Sequence, residues 1–308
     1  MFRSQLEFEA RFATEADCLR HLHKLRWPDG FHCPKCAGTA AWELRSRPLT
    51  ECRSCGHQVS LTAGTIFHKT RTSLRIWFRV IAQLTGSKAG CSAVTISRQY
   101  GLRYETAWLM LHRIRSALWQ LGRDPLVGEV EVDETYVGGL DQPHQRGRSL
   151  AGKKALVVAA VETDERGMGR IRMAHVADAK AQHLVPFVRD NVRSHSVVHT
   201  DGHRGYNPLR ESGYLHLPVF LFGEELAKHA LKCAHRVFAL LKRVLLSTHQ
   251  GAVSRKHLQR YLDEFVFRFN RRRARPWLAF QRVLERYVQR APTYDDLVAP
   301  DLLQLVGP

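Results

Sequence analysis

The stretch VGEVEVDETYVGG, residues 127–139, decides how the second half of this chain is read. A turn-rich GRDPLVG leads into it, and side chains then alternate in period two around Val130, Val132 and Asp133, the pattern of a half-buried strand. Two more strands follow, ALVVAAVET at 155–163 and GRIRMAHVA at 169–177. A helix over AKAQHLVPFVRDNV (179–192) leads to a fourth strand, SVVHTDG (196–202). A short connection through YNPLRESG, holding a helix of a turn or two, leads to a fifth strand, YLHLPVF (214–220), and a last helix, KCAHRVFALLKR (232–243). Three antiparallel strands followed by alternating units predict a mixed five-stranded sheet covered by helices.

In that order Asp133 lies on the first strand and Asp201 at the carboxyl end of the fourth, which can sit beside it. Two carboxylates on neighbouring strands suit a hard divalent cation that keeps waters and binds phosphate oxygens, and such ions serve phosphodiester chemistry. Taken singly, Asp133 also reads as a solvated acid and Asp201 as a turn cap in HTDGHRGY.

The first half has a different character. CPKCAGTAAWELRSRPLTECRSCG sets Cys33 and Cys36, then Cys52 and Cys55, as two CxxC knuckles around fifteen intervening residues. Together they complete the tetrahedral sulfur shell that zinc prefers. The short hairpin between them and a strand in HQVSLTAGT make a zinc ribbon, a fold too small to hold a core without its metal. Arg45, Arg47, Arg53, His57 and Lys69 on it suit phosphate contacts or simply form a solvated face.

After the ribbon, RIWFRVIAQLTG has apolar residues at helical spacing. SAVTISRQYGLRYETAWLMLHRIRSALW then reads as a short helix, a break at Gly101 and a longer helix, with Val94, Ile96, Ala107, Leu111 and Ile114 turned inward. That is either a helix-turn-helix, with Arg103, Tyr104 and Thr106 at the start of the recognition helix, or a plain helical hairpin.

Over 308 residues, 47 Lys and Arg against 29 Asp and Glu leave a net charge of +18. A field of that sign favours a polyanion and binding driven by counterion release, though a merely basic protein has the same balance. The N-terminus has no apolar signal region, and no run of eighteen apolar residues occurs. A cytoplasmic, nucleoid-associated protein without membrane partners is expected. An odd count of seven cysteines without a secretory signal argues against a disulfide framework.

The ribbon, VDETYVGG, HTDGHRGY and the block LKRVLLSTHQGAVSRKHLQRYLDEFVFRFNRR together resemble the zinc-ribbon insertion-sequence transposases of the ISXO-like group, from about Phe31 to Arg273. The resemblance implies an RNase H-like catalytic domain of the DDE superfamily. It implies an enzyme that binds double-stranded DNA at terminal inverted repeats and, with magnesium or manganese in its place, cuts strands and transfers them to target DNA. Asp133 and Asp201 match the first two catalytic, magnesium-holding positions.

The third position departs from the superfamily, where a Glu or sometimes Asn precedes a Lys by seven residues. Counting back from Lys242 reaches His235. Seven residues at about 100° each bring the two to one face, two turns apart. On the helical wheel Val237, Phe238, Leu241, Val244 and Leu245 form the apolar stripe, whereas His235, Arg236, Ala239, Lys242 and Arg243 lie opposite. Lys242 suits a phosphate near the transposon end. A neutral imidazole ligates metals but suits magnesium less well than a carboxylate does. The alternative third residue is Glu264, whose other reading is a salt bridge to Arg268. Arg271 and Arg272 suit phosphate contacts.

The expected organisation is multidomain: an N-terminal helical segment at 1–30, the zinc ribbon at 31–70, the helix-turn-helix-like segment at 71–122, the α/β RNase H-like domain at 125–280 and a tail at 281–308. Joining two ends implies a homodimer or higher oligomer during reaction. The rival readings are a ribbon-bearing DNA-binding regulator whose catalytic domain no longer cuts, and a structure-selective nuclease of the same fold.

Overall fold

The computed structural model describes residues 4–44, 49–118, 123–138, 154–165, 167–219, 231–251, 253–286 and 292–298. Arg45 and Arg47 lie outside them. The chain divides into two compact units, Met1–Leu118 with Arg273–Pro308, and Trp119–Arg272.

In the first unit, helix α1 spans Gln5–Arg11 and α2 Glu15–Arg26. Thr14 and Asp17 start α2 with reciprocal side-chain bonds to each other's backbone N–H, which satisfies two donors that a helix start leaves open. Strands β1 (Ala41–Glu43), β2 (Leu49–Cys52) and β3 (Gln58–Ser60) form an antiparallel sheet in that order. Its core is Trp27, Phe31, Cys33, Cys52 and Val59. The Arg26 guanidinium ties α2 to the segment after β3, donating to the carbonyls of Ser60, Leu61 and Ala63 at 3.3, 2.7 and 3.1 Å.

Helix α3 (Leu74–Gly86) buries Trp77, Phe78, Val80, Ile81 and Leu84. Helix α4 (Ala93–Tyr100) ends at Gly101, whose φ of 64° suits a residue without a side chain, and α5 (Tyr104–Leu118) follows. Of the residues expected to face inward here, Ile96, Ala107, Leu111 and Ile114 are buried. Val94 instead sits in the first turn of α4, 45% exposed.

The expected 281–308 tail begins inside a helix. Helix α9, Pro276–Glu285, packs on α3, with Phe280 edge-on to Phe8 and Phe78 at ring separations of 5.5 and 5.6 Å. A buried aromatic cluster therefore returns the chain to the first unit, and the observed division falls after Arg272, not at 280. Helix α10 is the short Tyr294–Val298.

The second unit holds the mixed sheet. Strands β4 (Glu129–Val137), β5 (Ala155–Asp164), β6 (Gly167–Val176), β7 (Val197–Thr200) and β8 (Leu215–Pro218) lie in the order β6-β5-β4-β7-β8. Pairing is antiparallel from β6 to β4 and parallel from β4 to β8. Helix α6 (Ala181–Asn191) and the 3-10 turn Arg204–Leu209 cover the face carrying Val130, Val132, Val158 and Ala160. Helices α7 (Lys232–His249) and α8 (Arg255–Asn270) cover the other face, over Val137, Val157, Ala159 and Val161. Burial on both faces explains why β5 is an almost unbroken apolar run.

Helix α8 also closes the β6 edge. The Gln259 side chain accepts from His175 N at 3.0 Å, and the Asn270 amide exchanges two bonds with the Ile171 backbone, at 2.8 and 3.1 Å. That occupies groups an open edge would offer to another chain. Inside the same helix Asp263 is buried, which pushes its carboxyl up to about 6 despite bonding to Gln259 and the charges of Arg123 and Arg260. A carboxyl raised in the fold favours folding below the unfolded value and costs stability as pH rises through about 6. Asp263→Asn is therefore expected to stabilise this unit at pH 8, relative to its effect at pH 4, by about 2 kcal/mol. Urea unfolding at the two pH values measures the difference, and an equal effect at both would contradict it.

Among the described residues, no helix is long and apolar enough to cross a membrane.

Candidate functional site

Strand β4 runs beside β7 in parallel, with Glu129 opposite Val197, Val130 opposite Val198 and Glu131 opposite His199. The same offset carried two residues further sets Asp133 level with Asp201, one residue beyond the end of β7. Asp133 is buried, 8% exposed, and its carboxyl is pushed up to about 6. Burial is the main cause; the neighbouring charges of Glu134 and Asp201 add to it, while the N–H of Glu134 and His235 oppose it. A desolvated carboxyl among like charges needs a positive partner, and two hard oxygen donors at a strand end fit a divalent cation such as magnesium.

The turn carrying Asp201 is held by its own side chains. Asp201 Oδ1 accepts from His203 N at 2.9 Å, and His203 Nδ1 accepts from Gly205 N at 3.1 Å. The Tyr206 hydroxyl, fully buried, donates to Glu134 Oε2 at 2.7 Å. Burial and the nearby Glu134, Asp133 and Asp201 hold the Tyr206 hydroxyl well above its ordinary pKa, so it stays a donor. Gly205 has no room for a side chain: a Cβ there would sit 2.9 Å from Leu184 Cδ1 and closer still to the Ala179 carbonyl.

Strand parity sorts the carboxylates of β4. Glu131 and Asp133 belong to the face covered by α7, and Glu134 to the face of Tyr206. Glu131 Oε2 accepts from Ala234 N at 2.8 Å, supplying a negative charge at the first turn of α7, where no side chain of the helix's own flank caps it. One residue on, His235 Nε2 stands 3.3 Å from Asp133 Oδ2, with its side chain 57% exposed. The wheel read from the sequence holds: Val237, Phe238, Leu241 and Leu245 are buried, whereas His235, Arg236, Ala239, Lys242 and Arg243 are exposed. Glu264, by contrast, lies in α8, which packs on β6, and pairs with Arg268 at 3.2 Å with both side chains buried.

The four cysteines are brought together, with donor sulfurs all within 4.8 Å of one another. Cys33 and Cys55 approach to 3.7 Å, and Cys36 and Cys52 to 3.5 Å. The two knuckles have the same build. Ala37 N donates to Cys33 O and Gly56 N to Cys52 O, both at 2.9 Å, and Ala37 and Gly56 both take positive φ, 58° and 66°. Burial raises the Cys52 thiol, but the backbone N–H groups of Cys55 and Ser54 and the Cys36 and Cys55 thiols together outweigh it and bring it to about 6, while Cys36, despite the N–H of Gly38, is pushed up to about 12 by the Cys55 and Cys52 thiols. Among the described residues this quartet is the one set of three or more such donors drawn into a common cluster; Asp133, Asp201 and His235 do not close into another.

Arg103, Tyr104 and Thr106 are exposed at the start of α5. Arg271 and Arg272 have other engagements. Their guanidinium carbons lie 3.9 and 4.1 Å from the ring centroids of Phe267 and Phe269, and Arg272 donates to the carbonyls of Met168, Gly169 and Phe269. On the ribbon, Arg53 stacks 3.6 Å over the exposed Trp42 ring. Sequence reasoning missed Glu131 and Tyr206. The available signals were the parity Glu131 shares with Asp133 and the lone tyrosine in the turn after Asp201.

Residues 125–270 match the family model described as an ISXO2-like transposase domain, and residues 13–58 match that of a transposase zinc-ribbon domain. A protein described as an uncharacterized protein in transposable element ISH50, from Halobacterium salinarum, is 29% identical over 279 residues, covering 83% of this chain and 91% of the relative. Among solved structures, a pre-cleavage Mos1 transpososome aligns at a TM-score of 0.29 and 13% identity over 68% of this chain and 75% of its own. A simian T-cell lymphotropic virus intasome in complex with the PP2A regulatory subunit B56 gamma aligns at 0.32 and 14%, over 59% and 66%. Superpositions that loose carry no argument about the site. The weight rests on the sequence matches, which give the chain a transposase zinc ribbon followed by an ISXO2-like transposase domain, the make-up of an insertion-sequence transposase.

Proposed function

We propose that this transposase is a DDE-type enzyme that cuts DNA at the terminal inverted repeats of its insertion sequence and joins the freed ends to target DNA, through an RNase H-like domain in the unit Trp119–Arg272. The observation that carries the reading is Asp133 on β4 with Asp201 just past the end of the adjoining β7, brought level by the register of the two strands, and His235 beside Asp133.

Asp133 and Asp201 would hold magnesium, or manganese in its place. When bound, such a metal activates an attacking oxygen and offsets charge on the scissile phosphate. The protein's own groups bind and orient. Lys242, on the exposed arc of α7 with Arg236 and Arg243, would hold a phosphate near the transposon end. His235 is the third residue of the site, placed by Glu131 through Ala234 N. Glu264 is the weaker candidate, since its carboxylate is already paired with Arg268. After cleavage the freed 3′-hydroxyl would attack a target phosphodiester in line, displacing the target's own 3′ oxygen. Joining two ends calls for at least a homodimer.

Zinc held by Cys33, Cys36, Cys52 and Cys55 would be structural, since four thiolates leave no open coordination position. Arg103, Tyr104 and Thr106 at the start of α5 would reach base edges as the opening of a recognition helix, with Arg271 and Arg272 weaker candidates because both already serve the fold.

The test is cleavage of a labelled terminal inverted repeat with magnesium or manganese. Cutting at the transposon terminus followed by joining supports the reading. Cutting at junctions without terminal preference points to a structure-selective nuclease, and binding without cutting under any divalent metal points to a regulator. His235→Ala is expected to slow strand transfer by about 10- to 100-fold, the usual cost of removing a group that orients a metal-holding carboxylate. Full activity in that variant would remove His235 from the mechanism.

A further inference from the structure

The bond between Tyr206 and Glu134 has a place in the site that neither aspartate explains. Backbone pairing between β4 and β7 ends at Glu131 and His199, and β7 itself ends at Thr200. Asp201 therefore stands beyond the last ladder bond to the strand that carries Asp133. The local bonds of its turn, from His203 N to Asp201 and from Gly205 N to His203, set the shape of the turn but do not tie it to β4. Among the described residues, Tyr206 Oη to Glu134 Oε2 is a bond that does so, at 2.7 Å and between residues 72 apart. It starts five residues after Asp201 and ends on the residue next to Asp133.

The surroundings leave Tyr206 little freedom. Its ring is fully buried beside Leu184, Phe187, Val188 and Leu209. The close packing of Gly205 against Ala179 and Leu184 fixes the backbone one residue before it. Strand parity sends Glu134 to this face while Asp133 points to the α7 face, so the bond lies in the layer under the sheet and reaches the site above it through the backbone of β4.

We infer that Glu134 and Tyr206 are positioning residues that hold Asp201 level with Asp133, so that the two carboxylates meet one divalent cation. This rests on the two-aspartate reading of the site. A buried hydrogen bond to a carboxylate resists displacement more than a neutral one, and small errors in ligand placement are costly at a site that must match a metal's geometry.

The test uses the full chain and two readouts: manganese binding followed by electron paramagnetic resonance, and cleavage of a terminal inverted repeat. Tyr206→Phe removes only the hydroxyl, and Glu134→Ala removes the acceptor. Each is expected to weaken manganese binding about tenfold and slow cleavage about 10- to 100-fold, a loss of the size of one charge-assisted hydrogen bond. The double variant should be no worse than the poorer single one. Glu134→Gln, whose amide oxygen still accepts from Tyr206, should recover most of both. Circular dichroism melting identifies any variant that fails to fold, and the remaining variants then decide. Unchanged manganese binding and cleavage in folded Tyr206→Phe and Glu134→Ala overturn the inference, as does Glu134→Gln being as defective as Glu134→Ala, which makes Glu134 a ligand. An unmutated chain that neither binds manganese nor cuts DNA overturns the two-aspartate reading and this inference together. An unmutated chain that does both, with Asp133→Asn doing neither, leaves the two-aspartate reading intact whatever Tyr206→Phe does.

Discussion

Asp133→Asn is expected to abolish cleavage of a terminal inverted repeat, by about 10³-fold or more, while the protein stays folded and still binds the DNA. Asparagine has nearly the size of aspartate, and its side-chain oxygen can keep the 2.8 Å bond from Glu134 N. What it loses is the charge. An amide is a poor ligand for a hard divalent cation, and losing the metal from a phosphodiester site removes several kcal/mol of transition-state stabilisation, with each 1.4 kcal/mol worth about tenfold. On the proposed reading DNA binding would rest on other residues, chiefly the basic surface, and should change less than about twofold at fixed salt. Asp201→Asn should match it if, as proposed, the two carboxylates serve one site. A variant of either that cuts at near-normal rate with magnesium would remove that residue from the chemistry.

The two aspartates were legible because their positions depend on local regularities. The alternation through Val130, Val132 and Asp133 is a property of β4 alone, and the order of five strands with short connections brings the end of β7 beside it. The polar and apolar arcs of α7 were legible for the same reason, since 3.6-residue periodicity reports which side packs. Knuckle spacing marked the cysteine cluster.

What stayed hidden was set by partners distant in sequence. Glu134 reads from the sequence as a structural acid on the strand face opposite Asp133, but its partner, Tyr206, 72 residues later, does not show there. Glu131 is anchored at Ala234 N across 103 residues. Arg271 and Arg272 look like a run of phosphate-binding charge, yet the structure spends them on Phe267, Phe269 and backbone carbonyls, because a guanidinium can cover a ring and donate in its plane at once. In the sequence, residues 276–285 straddle the expected end of one domain and the start of a tail. Phe280, Val283 and Leu284 are buried there because their partners, Phe8 and Phe78 among them, lie some two hundred residues earlier or more.

Cys52→Ser is expected to cost the ribbon its metal and with it its fold, leaving the sheet-bearing unit intact. Cys52 is 1% exposed, and its sulfur lies 3.5 Å from that of Cys36, with Cys33 and Cys55 completing the set. The apolar core around it is Trp27, Phe31, Val59 and the two buried cysteines themselves, too little to hold a ribbon of this size by itself. Zinc bound by the four thiolates would supply what that core lacks. Serine, whose hydroxyl does not ionise near neutral pH, makes a far weaker ligand. Zinc content should fall from stoichiometric to near zero, and amide protons of 49–60 should exchange freely, while β5 keeps its protection. Chelation of the unmutated protein should reproduce the pattern and added zinc reverse it. If the variant kept both its zinc and its protected ribbon amides, the quartet would be a cluster of packed thiols and not the metal site on which the ribbon depends.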